Sequence, residues 1–427
     1  MPVSTEALRP SLPAKSFPVV DCDGHIFEPA EVWSEYVDPR HREVVRNSLW
    51  REDHPGGWEG WLNGVHHLHR EGNGSFFGAI MTPGMDKDRL ATMRMAKDPY
   101  DIAPGSYDPH ARLSDMDAMG IDHAVLMPTF CGMWFTAIAD PVGAAALARA
   151  YNRWILDYAG ADPARLYPSM IIPQHDNGLA VAEIRWGAER GFRSVVVRPN
   201  IVADRHPAHP SFDPVWQAIS DCGMVAGVHP FPAANGRSPA PQDCTGWFID
   251  RAANAAGFGR NGIISESLCF GHDAQVMLLL MAHHDFFAKH PELTLAILES
   301  NAAWLPFILG KADGRVTAWE ATRGTHVTVR PSEGFRRKGF ISFESDEDQV
   351  FELWRHFEDI GIWASDYPHF DAEDAWEAIA HLRAFNVPEP VIAKMMGENA
   401  ARMYGFEARL FVTSAAGPSA GTSSSGA

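Results

Sequence analysis

The chain reads as an α/β protein folded as a distorted (β/α)8 barrel, with long loop insertions after strands one and five. Three observations predict it. Short apolar runs with β-branched character recur eight times along the 427 residues, and helical patterns fill most of the gaps between them. No glycine-rich phosphate loop follows any of the runs, which disfavours the competing doubly wound open sheet.

The first run is Phe17–Val20, leading into DCDGH (21–25). HAVLMPTF (123–130), LYPSMIIP (166–173) and SVVVRPN (194–200) follow, then MVAGVHP (224–230), LTLAILES (293–300), GFISFES (339–345) and GIWASDYPH (361–369). Several are almost continuously apolar, as parallel strands buried on both faces must be. Helices are predicted over 111–120, stopped by Gly120, and over the alanine-rich 141–161. Three more fall at 179–190, 213–222 and 346–357. The domain plan is an N-terminal extension over 1–16, a barrel over 17–411, and a small, polar tail over 412–427 expected to be disordered.

The insertions cover about 28–110 and 231–262. Both follow strands, so both should emerge at the C-terminal mouth, where barrels carry their chemistry. Trp50, Trp58, Trp61 and Trp247 are expected to cover that mouth and wall a planar substrate.

Composition narrows the function. There are 36 basic and 54 acidic residues, a formal charge of −18, so neither nucleic acid nor an anionic membrane is an expected partner. Five scattered cysteines without a C-x-x-C pair point to reduced thiols in the cytosol. The N-terminal stretch lacks the apolar segment of a signal peptide, and the longest apolar run, VMLLLMA (276–282), is too short to cross a bilayer. A cytoplasmic protein is expected.

The chemistry begins at DCDGH. Side chains alternate along a strand, so Asp21, Asp23 and His25 share one face. A buried acidic face is costly unless a cation or hydrogen bonds compensate it. A metal on Asp23 and His25, with Asp21 orienting from behind, meets that need; a cap or turn cluster at a strand end is the plain alternative. Other strands end on His229, Glu299 and Asp366. In a barrel, residues at the C-terminal ends of separate strands converge on one mouth, which favours a common site over four unrelated caps.

These residues sit in segments that resemble the amidohydrolase-2 family, which includes aminocarboxymuconate-semialdehyde and resorcylate-type decarboxylases. The matching stretches are DCDGHIFEPAEVW (21–33), DPHARLSDMDAMGIDHAVLMPT (108–129), VHPF (228–231), FFAKHPELTLAILESNAAWLP (286–306), SDYPH (365–369) and GENAARMYGF (397–406). The resemblance implies a barrel with one divalent metal, its ligands Asp23, His25, His229 and Asp366. It departs in two places: Asp23 stands where the best-known member has the first histidine of H-x-H, and Glu299 stands for a proton-transferring histidine. Two oxygen and two nitrogen donors suit Zn²⁺, with Mn²⁺ as rival, and leave room for water or substrate.

The expected activity is a metal-dependent decarboxylase (a carbon–carbon lyase) acting on a small aromatic or unsaturated carboxylic acid. The alternative is a hydrolase of an amide, lactone or activated C–C bond, in which Asp366 takes a proton from water. The catalytic residues are then Asp366, Glu299 and His229. Arg198, ending strand four, is the candidate clamp for a substrate carboxylate, or else a structural ion-pair partner. Glu28 and His369 are expected to support the ligands from behind. His66, His67 and His69 read as polar loop residues, and His283 and His284 as cations at a helix end. A homodimer is expected.

Overall fold

Eight parallel strands pair side by side in the order of the chain. Numbering all strands as they occur, the wall comprises β1 (Val20–Ile26), then, after a separate three-stranded sheet of β2 (Leu49–His54), β3 (Gly57–Leu62) and β4 (Val65–His69), the strands β5 (His123–Pro128) and β6 (Leu166–Ile171). It continues through β7 (Ser194–Val197), β8 (Val225–Val228), β9 (Thr294–Ile297), β10 (Gly339–Phe343) and β11 (Gly361–Trp363). Every one of the eight predicted runs forms a wall strand. The computed structural model describes residues 15–54, 57–69, 104–231, 245–258, 262–324, 326–369 and 372–410. The N-terminal extension up to residue 14 and the tail from 411 lie outside them.

Closure comes from the segment just beyond β11. Asp366 N–H donates to Asp23 O at 3.1 Å and His25 N–H donates to Tyr367 O at 2.7 Å. The seam of the barrel therefore runs through residues of the candidate site.

The helices start where short polar caps allow. Asp108 accepts the His110 N–H ahead of Pro109, opening the helix Pro109–Met119, and Gly120 ends it with φ +77°. Asp140 with Pro141, and Asp176, open Pro141–Ala159 and Asn177–Ala188 in the same way. The helix predicted over 346–357 is instead two short pieces, Asp348–Glu352 and a 3-10 turn at Trp354–His356.

The first insertion is not a plain loop. Antiparallel pairing of β2 with β3 and of β3 with β4 makes it a small sheet. Arg51 pins that sheet to the mouth: its Nη1 donates to Glu28 O at 2.7 Å, and its guanidinium lies over the rings of Phe27 and Phe130 at 4.6 and 5.7 Å. Trp50 departs from the expectation of an open wall. It is buried in the core, because the paired strands give the insertion apolar packing of its own. Trp61 is partly buried; the side chains of Trp58 and Trp247, and the residues 70–103 and 232–244, lie outside the described set. The second insertion carries the helix Thr245–Ala255. Among the described residues no helix is long and apolar enough to cross a membrane.

Candidate metal centre

β1 delivers two donors. A bulge interrupts its pairing with β5 between Asp21 and Gly24, so simple alternation does not run through this stretch. His25 is fully buried, and its Nδ1 lies 3.1 Å from Pro128 O and 3.2 Å from Thr129 Oγ1. A carbonyl only accepts, so Nδ1 carries the proton and Nε2 presents its lone pair. His229, just past β8, is held in the same way: its Nδ1 is 2.7 Å from Pro230 O, and its ring stacks on Phe231 at 4.3 Å.

The two Nε2 atoms face each other at 3.2 Å. Asp23 Oδ1 lies 3.3 Å from that of His229 and 3.4 Å from that of His25. Neither Asp23 oxygen has a well-formed hydrogen bond among the described residues. Two lone pairs and a buried carboxylate directed at one point repel each other unless a cation sits among them. The donors fit a divalent ion on that ground.

Around this trio stand the other strand-end residues. Glu299 Oε2 is 3.2 Å from His229 Nε2, with its side chain 16% exposed. Asp366 Oδ1 is 3.5 Å from His25 Nε2 and 2.7 Å from His369 Nδ1. The rings of His25 and His369 lie 4.2 Å apart. Asp23–His25–His229 and His25–Asp366–His369 each gather three possible donors, and they share His25. Glu299 and Asp366 have φ of +41° and +55°, a region non-glycine residues avoid, and such strain persists where surrounding structure holds it.

Burial sets the protonation states. It pulls His25 down to about 3, with the neighbouring His369 adding to the effect, so His25 is neutral. Burial works to raise Asp23, but the two histidines beside it, His229 foremost, outweigh it and hold the carboxyl below its ordinary range.

The supporting residues divide. Asp21 accepts the N–H of Asp23 at 3.2 Å, the N–H of Ser365 at 3.0 Å and the hydroxyl of Ser365 at 2.7 Å. Glu28 does not bond a donor directly. It accepts the N–H groups of Phe130 and Cys131 at 2.8 and 3.1 Å, fixing the turn that carries Thr129. Arg198 is buried; its Nη1 donates to Gly132 O at 2.5 Å and its guanidinium lies over Phe231 at 4.8 Å. His66 sits on β4 beside Glu59 at 3.7 Å, away from this group, while the side chains of His67 and His69 lie outside the described set. His283 ends the helix Gly262–His283, as expected. Thr129, Phe231, Ser365 and Arg112 were not foreseen. Their only signal is adjacency to strand ends or, for Arg112, a basic residue on an otherwise buried helix face.

A parallel barrel with convergent acids and histidines at its mouth defines the class of metal-cradling barrel proteins. The chain belongs to the amidohydrolase family, whose profile matches residues 20–406. None of the curated proteins matches the chain. Among solved structures, an amidohydrolase of Mycobacterium avium subsp. paratuberculosis K-10 superposes with a TM-score of 0.70 at 22% identity, covering 92% of this chain and 100% of that one. The 5-carboxyvanillate decarboxylase LigW of Sphingomonas paucimobilis gives 0.62 at 21%, over 92% and 100%. LigW2 of Novosphingobium aromaticivorans, a 5-carboxyvanillate decarboxylase solved with manganese and 3-methoxy-4-hydroxy-5-nitrobenzoic acid, gives 0.62 at 18%, over 92% and 98%. At these identities the likeness is one of fold.

Proposed function

We propose that the chain is a decarboxylase of a small aromatic or unsaturated carboxylic acid, dependent on one divalent ion, Mn²⁺ or Zn²⁺, held by Asp23, His25, His229 and Asp366. The observation that carries this reading is the pair of Nε2 atoms 3.2 Å apart beside the buried Asp23 carboxylate. The decarboxylases of 5-carboxyvanillate and 2,6-dihydroxybenzoate among its structural neighbours support the reaction class, and manganese in three decarboxylase structures supports the metal.

A divalent ion held there would supply Lewis-acid polarisation to a substrate carboxylate or hydroxyl. Asp23 and the two imidazoles hold it by lone pairs already aimed inward, and His369 orients Asp366 through the 2.7 Å bond. Glu299, next to His229, hands a proton to the carbon that bears the carboxylate. The C–C bond then breaks, its electron pair restores the unsaturated system, and CO₂ leaves. A proton from the medium restores Glu299, so that carboxylate and one proton give the decarboxylated product and CO₂. Arg198, with an N–H already given to a backbone carbonyl, is assigned to holding the mouth rather than clamping substrate. Exposed Phe307 and Trp319, 64% and 43% accessible on the helix Leu305–Arg323, support a homodimer, and free cysteines at Cys22, Cys131, Cys222 and Cys269 support a cytoplasmic setting.

The competing hydrolase reading draws on the Asp366–His369 pair, which could take a proton from water. Protein stripped with chelator and reloaded with Mn²⁺ or Zn²⁺ should release CO₂ from a panel of hydroxybenzoates and yield the decarboxylated ring. Metal-dependent cleavage of amides or lactones, with no CO₂ from any carboxylate, would replace this reading by the hydrolase.

A further inference from the structure

We propose that Arg112 is a positioning residue of the metal centre: across Gly24 its buried guanidinium balances the charge of Asp21, and together they fix the two chain segments that carry the donors. This rests on the metal-centre reading above. Arg112 stands in the first turn of the helix Pro109–Met119 and is 1% exposed. Its Nη1 donates to His25 O at 2.8 Å, and the guanidinium lies over the Tyr367 ring at 4.7 Å. Its Nε and Nη2 have no hydrogen-bond acceptor among the described residues. A buried arginine with N–H groups left over is costly unless its charge is used.

Two carboxylates lie near its charge: Asp115, which accepts the Tyr367 hydroxyl, and Asp21, the one on β1 across Gly24. A Cβ placed on Gly24 would collide with Arg112 Nη2 and lie 2.6 Å from Asp21 Oδ2, so the two groups flank the one residue of β1 that has no side chain. Asp21 is fully buried and takes N–H groups from both sides of the barrel seam, Asp23 on β1 and Ser365 after β11. Arg112 touches the same two segments, through His25 O and the Tyr367 ring. The pair therefore holds the residues that flank or are themselves Asp23, His25 and Asp366. Asp23 and Asp366 share the charge of a bound ion; Asp21, turned to Ser365, relies on Arg112.

The test is Mn²⁺ binding to chelator-stripped protein by calorimetry, with circular dichroism checking the fold. Arg112→Met should raise the Mn²⁺ dissociation constant by about 10- to 100-fold, as loss of an orienting partner does. Arg112→Lys, which keeps the charge, should stay close to wild type. Because the loss comes from a stranded carboxylate, Asp21→Asn added to Arg112→Met should recover part of the affinity, whereas a packing role predicts losses that add. Additive losses, or Arg112→Lys as damaging as Arg112→Met, would overturn the proposal. Should Arg112→Met not fold, recovery of a folded, Mn²⁺-binding double variant supports it and failure of that variant overturns it. Wild type that binds neither Mn²⁺ nor Zn²⁺ overturns the metal reading as well; wild-type binding with Arg112→Met unchanged overturns this inference alone.

Discussion

Glu347→Gln should change how the stability of this protein depends on pH. Glu347 is buried just past β10 and accepts the Ala302 N–H at 2.7 Å and the Glu344 N–H at 3.2 Å. It thereby ties the turn after Glu299 to the end of the next strand. Burial pushes its carboxyl up to about 7 from an ordinary 4.5, outweighing those bonds, which favour the charged form. Between these values the unfolded chain has released a proton that the folded protein keeps, so rising pH favours unfolding. A rise from 4.5 to about 7, at about 1.4 kcal/mol per unit, amounts to about 3 kcal/mol lost by roughly pH 8. Glutamine carries no such proton, and its single amide oxygen cannot accept both N–H groups. The variant should start about 1–3 kcal/mol less stable in mild acid, then converge with wild type as the pH rises. Urea denaturation of both proteins across about pH 5–8, in chelator to keep metal ligands from contributing, measures this. Parallel stability curves would refute the reasoning, since they would mean that Glu347 titrates alike in the folded and unfolded chains.

Two further outcomes follow from the site. His229→Ala should abolish metal uptake, because the His25 lone pair and the Asp23 and Asp366 carboxylates would lose one of the few donors that share the ion; elemental analysis showing about one bound divalent ion per chain in the variant would contradict this. Glu299→Gln keeps size and hydrogen bonding but cannot pass a proton, so metal content should hold while CO₂ release falls by roughly 10² or more; near-normal turnover would reduce Glu299 to a structural neighbour of His229.

The candidate donors could be grouped from sequence because a parallel barrel sends strand ends to one place. Once β1, β8, β9 and β11 are recognised as apolar runs, Asp23, His25, His229, Glu299 and Asp366 need no further geometry to be brought together. The glycine stop of Pro109–Met119 and the alanine-rich period of Pro141–Ala159 are equally local, which is why those helices were legible. The sheet of β2–β4 was not. Its strands are charged and glycine-bearing, with no clean alternation, and its order depends on burying Trp50 and Leu62 and on anchoring Arg51 against Phe27 and Phe130. Leu305–Arg323 escaped because Gly310 and Gly314 interrupt its apolar period.

The groups that aim the donors are harder to read for a different reason. Asp21 meets Ser365 across 344 positions, and Arg112 reaches His25 across 87. Pro128 and Pro230 act through carbonyl oxygens, which every residue possesses, so no side-chain pattern marks them. The alternation argument for β1 ran across a bulge it could not foresee, and that bulge spans the stretch where Asp21 and Arg112 face each other over Gly24. A donor set is written in residue identity and strand position. Its orientation is written in backbone geometry and in partners far along the chain, so substitutions at Arg112 or Ser365 should disturb metal binding although neither belongs to the groups of possible donors.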